Sequence, residues 1–225
     1  MRTHVFAAHV GPFAVFLALL GLVPLVSDPA GPFWRAHPEF WVFPLQTILC
    51  GALLVWWRGA YEFRPFGSLA MAVGTFAGAI AFAVWISPQA FFGAADRLDG
   101  LNPALVADSP ALHAATLTLR FARLVLVVPF LEEVFWRGFA LRYIVREDFA
   151  TVPVGTFSWL SFVVVSVAFM FEHTRPDWPA ALFTGALFNL VAYRTRSLGA
   201  CVLAHAMTNL LLGLYVMRTG QWGFW

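Results

Sequence analysis

Seven apolar runs, each close to the length of a bilayer crossing, follow one another with short polar joints between them. They lie near Val5–Val26, Phe40–Trp57, Gly67–Ile86, Leu117–Tyr143, Phe157–His173, Trp178–Tyr193 and Leu198–Met217. About 20 apolar residues span the hydrocarbon as a helix, and backbone polar groups in lipid must be satisfied within the segment. The pattern therefore predicts an all-α, polytopic membrane helix bundle of about seven transmembrane helices, six to eight. Composition agrees: 60% of residues are hydrophobic, 12% are charged, and the mean hydropathy is +0.76. The first run, interrupted by Pro12 and Pro24, reads as an anchor rather than a cleaved leader.

All fourteen basic residues are Arg, and most fall between apolar runs rather than in a stripe, so no nucleic-acid surface is implied. With the N-terminus inside, Arg2, Arg58, Arg64, Arg142, Arg146, Arg194 and Arg196 face the cytoplasm, against Arg35, Arg97, Arg175 and Arg218 outside. Cys50 and Cys201 lie far apart within apolar runs and read as small core residues. The longest joint, from about Ser87 to Pro110, is expected to lie outside the bilayer and fold over its face. The chain reads as one integral membrane domain, with N-terminal helices and the extramembrane loop over 1–110 and a catalytic core over 111–225. Gly74-Thr-Phe-Ala-Gly78 reads as a close helix contact, and Gln221-Trp-Gly-Phe-Trp225 as an aromatic interfacial anchor.

Inside the fourth run stand Glu132, Glu133 and Arg137. Each ionisable side chain at bilayer depth costs roughly 2.5–3.5 kcal/mol on insertion scales, so a polar environment must surround them. On a helix, Glu133 and Arg137 are i and i+4 and pair, while Glu132 points about 100° away and stays free. Pro129 lacks an amide hydrogen and frees a carbonyl one turn earlier, which predicts a kink where water or substrate enters. Phe169 and His173 share a face of the fifth run, and His205 and Asn209 share a face of the seventh. Together they supply a base for water, a partner that orients it, and donors for an oxyanion. A straight-helix picture does not bring them together, because His173 lies at the end of its run.

Glu132-Glu133-x-x-x-Arg137, Phe169-x-x-x-His173 and His205-x-x-x-Asn209 resemble, in order, the three motifs of the CPBP intramembrane proteases, the family that includes the CAAX prenyl endopeptidase Rce1. The resemblance runs from about Leu117 to the C-terminus. The text around Val152, Tyr193 and the Trp-rich end looks like a bacterial subgroup associated with exosortase protein-sorting systems. The resemblance implies that Glu132 activates water with help from His173, that His205 and Asn209 stabilise the oxyanion, and that Glu133, Arg137 and Phe169 support the site. It implies a membrane-anchored protein or peptide substrate and a multi-pass protein of the bacterial cytoplasmic (inner) membrane. Glu172 is more polar than the residue common at that place in the family, and its role is left open. No cofactor is expected, although Glu, His and His also suit zinc with a water in the fourth position, and no HExxH is present. Two other classes compete: a noncatalytic scaffold or immunity-type peptide-binding protein of the same fold, and a transporter, for which no inverted repeat is visible.

Overall fold

Seven helices of thirteen residues or more carry the chain in the computed structural model, which describes residues 2–225, with side chains from His4 onward. They are α1 (Arg2–Val26), α2 (Glu39–Trp56), α3 (Ser68–Phe92), α4 (Pro110–Tyr143), α5 (Trp159–Phe171), α6 (Trp178–Thr195) and α7 (Leu198–Thr219). No strand occurs among the described residues, so the protein is an all-helical bundle. Five of the seven (α1 from His4, α2, α3, α4 and α7) are long and apolar enough to cross a membrane. The chain is therefore a multi-pass membrane protein. The two remaining helices differ from simple spans: α5 has only 13 residues, about 20 Å at 1.5 Å per residue, and α6 carries Asn189 and Arg194.

That shortness of α5 resolves the depth conflict in the sequence. The hydrocarbon is about 30 Å thick, so a helix of this length does not cross it by itself. Ser158 caps its start by accepting from the Ser161 amide at 3.4 Å. At the other end the segment 172–177 turns before Pro179 enters α6, beside the joint that folds over this end of the bundle. Irregular backbone within the hydrocarbon is tolerated where it lines a polar cavity rather than lipid.

Pro129 does not simply break α4. The helix widens into a π-helical segment at Arg123–Val127, immediately before it, and again at Val134–Ala140. In this register the Val128 amide donates to the Arg123 carbonyl, five residues back. Pro129 is the residue that would serve the next carbonyl, Leu124, and it has no hydrogen to give. The vacancy is filled from another helix: Asn209 Nδ2 of α7 donates to the Leu124 carbonyl at 2.9 Å.

α3 and α7 pack against each other along the Gly74–Gly78 face. A Cβ at Gly74 would lie 2.7 Å from the Ala200 carbonyl oxygen, and one at Gly78 2.5 Å from that of Ala204. Thr208 Oγ1 donates across the same contact to the Gly78 carbonyl at 3.0 Å. α1 and α2 join the bundle through Gln46, whose Nε2 donates to the Phe16 carbonyl at 2.7 Å and whose Oε1 accepts from Arg123 Nε at 2.7 Å. Both cysteines are free and buried.

The C-terminal segment departs from the interfacial anchor expected of it. Trp225 Nε1 donates to the Leu101 carbonyl at 2.8 Å, the Gly223 amide donates to the Arg97 carbonyl at 2.9 Å, and Arg97 pairs with Asp177. The 93–109 joint and the tail thus fold together over one end of the bundle, burying Leu101 and Val106. The aromatic side chains found inner partners, which hydropathy alone does not distinguish from interface.

Because the Gly78 contact has no spare space, Gly78→Val is expected to separate α3 from α7. Thermal unfolding in detergent should fall by several degrees relative to Gly59→Val, a position with nothing within 4 Å of an added Cβ.

Candidate active site

Glu133 sits at the centre of a buried cluster. Its Oε1 accepts from Arg137 Nη1 at 3.1 Å and from His205 Nδ1 at 2.9 Å, and the side chains of Glu133 and Arg137 are 0% exposed. The remaining guanidinium donors are used as well: Nε to Asn189 Oδ1 at 3.1 Å and Nη2 to the Gly185 carbonyl at 2.9 Å. Asn189 in turn donates from Nδ2 to Ser166 Oγ at 3.1 Å. Phe169 and Phe188 cover the guanidinium, their ring centroids 5.1 and 5.5 Å from Cζ. A buried ion pair repays its desolvation only with such additional hydrogen bonds. This network ties α4, α5, α6 and α7 at one level.

Glu132, one residue earlier, faces elsewhere. It is buried, makes no hydrogen bond to the described chain, and has one oxygen, Oε2, sealed without a partner. It lines a cavity of about 310 Å³ shared with His173, His205, Asn209, Glu172, Arg120 and Arg123. All four residues that the sequence singled out as reactive therefore border one cavity. The helical offset separates the two glutamates as the sequence implied.

Both histidines have a fixed orientation. His173 Nδ1 lies 2.9 Å from the Phe169 carbonyl, which can only accept, so this nitrogen carries the hydrogen. In the neutral ring Nε2 is then a lone pair. His205 Nδ1 likewise faces the Glu133 carboxylate, which leaves its Nε2 available to the cavity. The Phe169 and Trp85 rings lie against His173, with centroids 4.9 and 5.4 Å away, and Trp85 Nε1 donates to Thr184 Oγ1 at 2.9 Å. Asn209 commits one amide hydrogen to Leu124, and its second finds no partner in the described chain.

Several participants were not singled out from the sequence. Asn189 completes the Arg137 cage, and its one signal was a lone amide inside an apolar run. Trp136 holds Glu172 by donating from Nε1 to Oε2 at 3.0 Å, which places that acid on the cavity wall. Arg120 and Arg123 precede Glu132 on α4 and were not weighed because they lie inside the run. Among the described residues no three His, Cys, Asp or Glu side chains converge as a metal site.

The fold defines a polytopic helical membrane protein with a cavity of about 310 Å³ bordered by charged and polar side chains. Residues 114–211, which hold every one of these motif positions, match the model of the family described as Type II CAAX prenyl endopeptidase Rce1-like. Comparisons with curated proteins and with solved structures gave no match.

Removing the Arg137 guanidinium leaves Glu133 buried and uncompensated. Arg137→Gln is expected to cost about 3–5 kcal/mol, read as a lower melting temperature in detergent. Asn189→Leu should shift the melt in the same direction by less, because only one donor loses its acceptor. An unchanged melt for Arg137→Gln would refute a supporting role for the pair.

Proposed function

We propose that the protein hydrolyses a peptide bond of a membrane-anchored protein or peptide, using water activated by Glu132. The observation that carries this reading is the Glu132 carboxylate: buried, without a donor from the chain, and facing the same chamber as two histidines whose Nε2 atoms are free. A buried acceptor left open by the protein is a place for ordered water. Glu132 takes a proton from that water, and the His173 Nε2 lone pair orients it. Attack on the substrate carbonyl develops charge on its oxygen, where His205 and the second Asn209 amide hydrogen donate. His205 does so from Nε2 when its ring carries both hydrogens. Pre-aligned donors of this kind lower the barrier because they need no reorganisation as charge appears. The proton on Glu132 then passes to the leaving amine.

The proposed mechanism needs no metal, and the sequence has no HExxH motif. The substrate is a peptide close to its membrane anchor, the location is the bacterial cytoplasmic membrane, and an exosortase-type sorting system is the proposed context. These follow from the resemblance of the motifs and their surroundings. The competing scaffold reading gives no reason for Glu132 to be kept without a partner.

Glu132→Gln keeps the shape and removes the base, so turnover should drop at least about 10²-fold while the melting curve holds. Mass-spectrometric profiling of new protein termini in host membranes carrying either form at matched abundance reads the loss. Termini that depend on Glu132 support the peptidase and reveal its substrate; identical profiles from two folded proteins favour the scaffold. Incubation with EDTA or 1,10-phenanthroline is expected to leave turnover unchanged, and a loss restored by zinc would overturn the metal-free step.

A further inference from the structure

The cavity contains two cations that the proposed chemistry does not use. Arg120 and Arg123 lie on the third and fourth turns of α4 within the membrane bundle, 4% and 7% exposed, and both line the chamber that holds Glu132. Arg120 makes no hydrogen bond to the described chain, and its Nε and Nη1 are sealed without partners. Its guanidinium lies over the Phe43 and Trp225 rings, 4.9 and 5.5 Å from their centroids. Arg123 gives Nε to Gln46 and lies 4.5 Å over Phe43, while its two terminal nitrogens make no hydrogen bond.

The acids nearby do not absorb these donors. Glu133 is engaged by Arg137 and His205, Glu172 by Trp136, and Asp177 by Arg97 and Thr174. Glu39, outside the chamber, lies 3.3 Å from His37. Glu132 makes no hydrogen bond to either arginine. A buried guanidinium with open donors is costly, and aromatic faces compensate only part of the lost hydration. Such a pair is stable in function when an anion arrives to complete it.

We propose that Arg120 and Arg123 form a subsite that binds a carboxylate of the peptide substrate and so sets where the chain is cut. The inference rests on the peptidase reading above. An unmodified peptide has no other anion to offer, and the two terminal nitrogens of Arg123, neither of them sealed, match a carboxylate in two-point contact beside the Arg120 charge. Arg123 and Glu132 are nine residues apart on α4, about 13 Å along a helix axis. An extended peptide covers about 3.3 Å per residue, so the carboxylate would lie about four residues from the scissile bond. It belongs either to an acidic side chain or to the peptide's C-terminus. Gln46 holds Arg123 in place from α2, and Trp225 brings the folded-back tail into the subsite wall.

The test is binding rather than turnover, with the full chain in phosphatidylcholine nanodiscs. Dansylated apolar heptapeptides are followed by energy transfer from tryptophan: one neutral with a C-terminal carboxamide, one with a free C-terminal carboxylate, and a carboxamide series with a single glutamate at each position. At least one carboxylate peptide is expected to bind about tenfold more tightly than the neutral one. Arg120→Gln and Arg123→Gln should each reduce that ratio toward one. The tighter class, free terminus or side chain, identifies the source of the carboxylate. Where a Gln variant does not fold, Arg120→Lys and Arg123→Lys keep the charge but lose the fork, and are expected to lower the ratio in part. Equal binding of all peptides, no binding of any, or a ratio unchanged in the folded variants overturns the proposal. Mass spectra of the same samples separate the two readings. Carboxylate preference without cleavage removes the peptidase and keeps the subsite; cleavage without preference does the reverse.

Discussion

The structure depends on the Glu133 carboxylate. In one position it offsets Arg137, holds His205 by Nδ1, and through Arg137 reaches the Gly185 carbonyl and Asn189. Four helices meet there although lipid supplies no hydrophobic drive to bring helices together. A charge buried in that setting is costly when any one partner is missing, so the helices are held in one register. The adjacent Glu132 gains its position from this: Glu133 is pinned inward, and helix geometry turns Glu132 into the cavity.

Local backbone irregularity supports the site at two further points. The π-segment before Pro129 leaves the Leu124 carbonyl open, and Asn209 closes it, so a helix defect in α4 fixes an α7 side chain beside the chamber. α5 stops short of a full crossing, and its end carries the Phe169 carbonyl that orients His173. Both features are the kind that a membrane excludes from lipid contact and admits beside a polar cavity.

Much of this was legible in the sequence. The seven apolar runs correspond to the seven long helices, the Gly74–Gly78 spacing marked the α3–α7 contact, and i, i+4 geometry separated Glu132 from Glu133. The family whose model matches residues 114–211 was readable from three spaced motifs. Other features were hidden for physical reasons. Whether an apolar run of 13 residues spans or stops depends on what its end finds to bond, which periodicity does not carry. Pro129 indicated a freed carbonyl but not that the helix would widen and recruit Asn209. Arg120 and Arg123 were obscured because a count of arginines between runs sets orientation and passes over those inside. The tail's tryptophans have the same composition in an interface or against Leu101 and Arg120.

The most direct test is a high-resolution structure of the protein with a peptidyl phosphonate, whose tetrahedral anion mimics the intermediate of water attack. The account predicts one phosphonate oxygen within about 3.2 Å of His205 Nε2 and Asn209 Nδ2, and another against Glu132. A phosphonate bound outside this chamber, or in it with Glu132 remote from the phosphorus, would contradict the site as described.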